Sequence, residues 1–168
     1  ATVALADIRY PTDIKLLNEA REQTEIVIDA LYPQVKEQLP KKPRTYRREA
    51  RTAYLQIAKQ RKPNGKEIRK AMRQQLGYVR RNLAHIDTLI AAGAKLSELK
   101  KNLYRNLLVV SEVYRQQQLM YDRIVSITQP HVRPIVRGKS GTPVEFGAKL
   151  SVSCSVISEA RYLALHKP

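Results

Sequence analysis

The side chains of this chain that could carry acid–base, nucleophilic or metal chemistry are few, and they do not converge on a site. The three histidines, His85, His131 and His166, are scattered, and none has a Cys, Asp or His at metal-ligand spacing. Ser126, Ser153 and Cys154 are the nucleophile candidates, but no base is identifiable beside any of them. Gly138 and Gly141 read as a turn rather than a phosphate cradle. A tyrosine recombinase would need His-x-x-Arg, and His131-Val132-Arg133 has the wrong spacing. Glu19, Glu22, Glu25 and Asp29 recur at helical intervals, as a solvated helix face or a set of ion-pair partners would. The residues alone therefore assign no catalytic group and no metal ligand.

Charge is the stronger signal. The chain of 168 residues carries a net charge of +16, unevenly distributed. Residues 1–39 hold four basic and seven acidic side chains, residues 40–81 fifteen and two, and residues 82–168 twelve and six. A net +13 within 42 residues would repel itself without a counter-surface, and clustered Lys and Arg release counterions from phosphates. The stretch therefore reads as a nucleic-acid site. Its candidate contacts are Lys41, Lys42, Arg44, Arg47, Arg48, Arg51, Lys66, Arg69, Lys70, Arg73, Arg80 and Arg81. Nine tyrosines stand against one Phe and no Trp. Those near arginine (Tyr46, Tyr54, Tyr78, Tyr104, Tyr114) could stack or reach phosphates, but a bundle core with hydroxyls reaching solvent is the preferred reading for most.

Four helices have to position these groups. Pro11-Thr12-Asp13 starts the first, with Ile14, Leu17, Ala20, Thr24, Val27 and Leu31 lining one face until Pro33 kinks or stops it. Pro40 to Pro43 forms a linker. The second, about 45–62, buries Tyr46, Ala50, Ala53 and Ile57 and carries Arg44, Arg48, Arg51, Lys59 and Lys62 outside. Asn64 and Glu67 form a capping box for the third, about 64–91, whose stripe is Ile68, Met72, Leu76, Val79, Leu83, Ile86 and Ile90. Gly93 ends it. Ser97 caps a fourth, with Leu99, Leu103, Leu107, Val110 and Tyr114 inward. Short connections between long helices predict antiparallel neighbours in a bundle.

After Tyr121 the pattern turns to β. Arg123–Thr128 alternates, Val132–Val136 is β-branched around Pro134, and Val144–Val156 alternates well. The expected fold is thus mainly α with a small β part: a basic all-helical region over 1–121, then a hairpin or partial sheet over 122–168. Two strands alone are marginal in water, so the rest of a sheet is expected elsewhere. One cysteine excludes a disulfide framework and fits a reducing cytoplasm, and no apolar run or signal peptide indicates a membrane.

Longer words in the sequence resemble bacterial insertion-sequence DDE transposases. They are Ala1-Thr2-Val3, Asp7-Ile8, Tyr10-Pro11-Thr12-Asp13, Leu16-Leu17-Asn18-Glu19-Ala20-Arg21, Pro43-Arg44-Thr45-Tyr46-Arg47-Arg48, Lys66-x-Ile68-Arg69-Lys70 and Gln74-Gln75-Leu76-x-Tyr78-x-Arg80-Arg81-Asn82. Asp122 to Ile127, Gln129-Pro130, Arg133 to Lys139 and Val144 to Lys149 continue the likeness, which covers about 1–153 in order. Two departures stand out: relatives have several more residues between Tyr121 and Asp122, and Cys154–Pro168 does not follow the family's strand.

The resemblance implies an RNase H-like catalytic domain, incomplete here, with an all-helical insertion. In that family the first catalytic aspartate directly precedes the Ala-Thr pair, and the other two acids lie beyond the strand of Val144–Val152. None of the triad then falls within these residues, and Asp7, Asp13, Asp122 and Glu145 match no triad position. It implies a transposase fragment that binds DNA, with Arg133, Arg137 and Lys139 as further phosphate contacts, but that is inactive alone. Magnesium belongs to the complete enzyme, and no cofactor to this segment. Expected partners are DNA and other transposase protomers, with no membrane or small-molecule substrate, in a bacterial cytoplasm at the nucleoid. A protein-interaction or oligomerisation module with little DNA affinity is the alternative.

Overall fold

The computed structural model describes residues 2–5, 13–115, 124–136, 144–157 and 160–166. They form two compact units: a helical one from Pro11–Tyr121, and a β unit from Ala1–Tyr10 together with Asp122–Pro168. The first ten residues group with the strands rather than with the helices they precede. The reason is backbone pairing, since Thr2–Leu5 is a strand of the sheet.

The helical unit holds α1 (Asp13–Leu31), α2 (Arg47–Ala58), α3 (Gly65–Ala91) and α4 (Lys101–Arg115). Pro33 does end α1, in a one-turn 3-10 helix over Tyr32–Val35. The capping box forms at α3: Asn64 Oδ1 accepts from the Lys66 N–H, and Glu67 Oε2 from the Asn64 N–H. Gly93, at φ 105°, closes α3 with the Gly93 N–H on Ile90 O and the Ala94 N–H on Leu89 O, a Schellman pair. Ser97 does not cap α4. It lies in a 3-10 turn, Leu96–Glu98, and α4 begins four residues after it.

The contacts Thr24–Asn82 and Gln34–Lys95 advance together along the chain, so α1 and α3 run parallel; Ala50–Gln75 and Tyr46–Arg81 make α2 and α3 antiparallel. The core between α1, α3 and α4 is Val27, Ile28, Leu31, Val35, Ile86, Leu89, Ala94, Leu99 and Leu107. The α1 face is the expected one, apart from Ile14, which is only half-buried. The α3 face is not. Its buried seam is Ala71, Gln75, Val79, Asn82, Ile86 and Leu89, while Ile68, Met72, Leu76 and Leu83 are half-buried and Ile90 is exposed. Two amides occupy the seam because their hydrogen bonds are made inside it. Gln75 Nε2 donates to Ala50 O (2.8 Å), and Asn82 Nδ2 to Thr24 Oγ1 (3.0 Å), which itself donates to Arg21 O (2.7 Å).

In the β unit, β1 (Thr2–Leu5), β2 (Arg133–Val136), β3 (Val144–Ile157) and β4 (Ala160–His166) form an antiparallel sheet in the order β1-β3-β2, with β4 also on β3. Thr2 faces Leu150 and Leu5 faces Gly147 on one partner; Arg133 faces Gly147 and Val136 faces Val144 on the other. Beyond them Ser151 faces His166 and Ile157 faces Ala160. The segment after 153 therefore extends the strand. Residues 124–128 form no strand despite their alternation. Ser126 Oγ accepts from the Gln129 N–H there, a local bond that competes with a ladder, while Ile124 and Ile127 stay buried.

Candidate nucleic-acid interface

The basic stretch folds into α2, α3 and their approaches, and its candidate contacts, Lys41 apart, separate into three groups. The first is held by acids. Lys42 Nζ lies 2.6 Å from Asp29 Oδ1, and Arg47 grips Asp29 with two nitrogens, at 2.9 and 3.1 Å. Arg47 Nε is also 3.9 Å from Glu25 Oε2. Burial alone would raise the Asp29 carboxyl, but the hydrogen bonds and charges of Arg47 and Lys42 outweigh it and hold the group below the usual range. The hydrogen bond to Asp29 raises Arg47 in turn.

Part of the acidic face of α1 thus becomes counter-charge. Glu25, read from spacing as a solvated or surface-paired group, is buried, and it receives Arg21 Nη1 at 2.6 Å. Arg21 is itself buried, and its Nη2 reaches Asn18 Oδ1 at 2.8 Å and Glu22 Oε1 at 3.0 Å. Desolvation pushes the Glu25 carboxyl up, against the pull of Arg21 and Arg47. Glu19 is likewise raised by burial, which outweighs the nearby Lys15.

The second group surrounds Tyr46. The guanidinium carbons of Arg44 and Arg81 lie over its ring at 4.4 and 4.7 Å from the centroid, and Arg81 also lies over Tyr78 at 5.6 Å. Arg44 Nη2 is 3.4 Å from Glu49 Oε1. Tyr46 is half-buried and adopts φ 53°, ψ 33°, the left-handed region, just before α2. Tyr54 and Tyr114 are half-buried and Tyr104 is exposed, so the nine tyrosines do not act as one set.

The third group is Arg48, Arg51, Lys66, Arg69, Lys70, Arg73 and Arg80. All seven are exposed, and among the described residues none makes a salt bridge. The α3 members lie away from its buried seam. The two acids of the stretch are engaged locally, Glu49 with Arg44 and Glu67 in the capping box. Lys41 is exposed in the linker. Arg133 stands in β2 and donates to the carbonyls of Pro130 and Val132, while Arg137 and Lys139 lie outside the described residues.

Neither the burial of Arg21 nor the contact of Arg81 with Tyr46 is legible in the sequence. The tyrosine–arginine interleaving was the one available signal for the second.

No known protein family, curated protein or solved structure matches this chain. No described helix is long and apolar enough to cross a membrane. Among the described residues no three of His, Cys, Asp and Glu come together in a group that could hold a metal ion.

Proposed function

We propose that this chain is a DNA-binding segment of a DDE transposase, acting through phosphate contacts from α2 and α3, and that it does not break or join DNA alone. The observation that carries the reading is the third group: seven exposed cations on two adjacent helices, with both acids of residues 40–81, Glu49 and Glu67, engaged locally. Unpaired guanidinium and ammonium groups in such density favour a polyanion, and they give affinity without base readout. The transposase assignment rests on the sequence resemblance. A helical unit lying in the chain between β1 and β2 of one antiparallel sheet is what an insertion into an RNase H-like domain would look like. Magnesium, other protomers and a nucleoid location belong to the same proposal.

Anisotropy titration of a 20-base-pair duplex tests it. With about six phosphate contacts, affinity falls roughly 10³-fold between 50 and 200 mM salt. Changing Arg48, Arg51, Arg69, Lys70 and Arg73 to Gln together flattens that dependence. A salt-independent affinity, or no binding at 50 mM, defeats the proposal.

A further inference from the structure

The seven exposed cations account for charge but not for geometry. The second group has geometry. Two guanidiniums that both lie within 4.7 Å of one ring centroid are no more than about 9 Å apart, although Arg44 precedes α2 and Arg81 stands on α3, 37 positions later in the chain. Like charges are not brought together without something to hold them. Here the ring of Tyr46 does so, through the attraction of its π-face for each cation. Among the described residues Arg44 has a carboxylate nearby, Glu49 at a long 3.4 Å, and Arg81 makes no salt bridge.

The backbone supports the same reading. Tyr46 is the only non-glycine residue with positive φ among those described, and a bulky residue there is strained. That conformation sets the ring between the start of α2 and the Tyr78–Arg81 turn of α3. Both arginines are exposed, so a guanidinium held over the ring still presents N–H donors to solvent. A planar fork held over a ring loses less freedom on binding an oxyanion than a mobile side chain does.

We infer that Arg44 and Arg81, oriented by Tyr46, form a two-guanidinium clamp on the phosphodiester backbone of the bound nucleic acid. Tyr46 is a positioning residue and touches no phosphate itself. The inference rests on the DNA-binding reading above and gives it a fixed point, around which the other cations add attraction without register.

The test uses the whole chain and the same duplex, measuring affinity at several salt concentrations, with helical circular dichroism as the check on folding. Arg44→Lys/Arg81→Lys keeps both charges but loses the planar stack. It lowers affinity about 10-fold or more, taking the strength of hydrogen bonds to charged groups. Arg44→Gln/Arg81→Gln lowers it further and reduces the salt slope by about 2. Tyr46→Leu weakens binding with no change of charge, and Tyr46→Phe restores it because the ring and not the hydroxyl orients the pair. Wild-type affinity in the double lysine variant overturns the clamp, as does Tyr46→Phe failing where Tyr46→Leu fails. If those variants bind normally while the five-glutamine variant does not, the clamp is wrong and the DNA-binding reading stands. If the unaltered chain shows no salt-sensitive binding, both fall.

Discussion

Replacing Arg21 with methionine tests how the helical unit tolerates its buried charge. Arg21 is 1 % exposed, and its Nη1 lies 2.6 Å from the carboxylate of Glu25, which is 8 % exposed. Methionine removes that partner, together with the bonds to Asn18 and Glu22. Glu25 is then left with only the Arg47 guanidinium, 3.9 Å away. Breaking one side of a buried pair costs about 3–5 kcal/mol, because a charge remains where water cannot reach it. With Arg47 still near, the expected loss is about 3 kcal/mol at pH 7, a fall of roughly 1–3 M in the urea midpoint.

The pH dependence has a definite sign. Burial already raises the folded Glu25 carboxyl, and losing Arg21 raises it further. The folded state then binds more protons than the unfolded one between the two values, so stability falls as pH rises through that window. The deficit of Arg21→Met is therefore smaller near pH 4 than at pH 7. Arg21→Met/Glu25→Leu removes both charges and recovers most of the loss. Urea unfolding followed by helical circular dichroism at both pH values decides it. A single-variant loss under about 1 kcal/mol, or a double variant no more stable than the single, refutes the reasoning.

Two other perturbations isolate different parts of the fold. Gly93→Ala meets no atom within 4 Å but places a side chain at φ 105°, so the Schellman closure of α3 weakens by about 1–2 kcal/mol in thermal or urea unfolding. Asp29→Asn removes a carboxylate whose folded value is depressed, so the stability it supplies is present above the unfolded value and lost as pH falls through the folded one; the variant is less stable than the parent at pH 7, and the difference closes in acid, read from paired melts.

Much of the helical unit was legible because its signals are local. The capping box at Asn64, the stop at Pro33 and the Gly93 closure each depend on neighbours within a few positions. The α1 face was legible because its periodicity agrees with its burial. The α3 face was not, because hydropathy ranks Leu76 and Leu83 above Gln75 and Asn82. What decides the seam is Ala50 O and Thr24 Oγ1 standing opposite, and these belong to other helices. Ser97 misled for the opposite reason: a capping side chain forms a short turn as readily as it starts a helix. In the interface, composition marked the basic stretch but could not sort it. Lys42 and Arg47 are drawn to Asp29, and Arg44 and Arg81 to Tyr46, through folding contacts that charge counts do not contain.

The pairing of β1 with β3 has a consequence for how the chain is made. Thr2–Leu5 leaves the ribosome well before its partners Gly147–Leu150, which follow some 145 residues later. At ordinary elongation rates of about 5–20 residues per second, that interval is roughly 7–30 s. The helical unit, whose contacts are largely complete by 115, has ample time to fold meanwhile, since helix formation takes on the order of a microsecond. Until β3 is made, β1 has an unpaired edge, and its length of four residues limits what a stray partner could gain by joining it. Brevity in β1 thus protects a sheet whose paired strands are made so far apart.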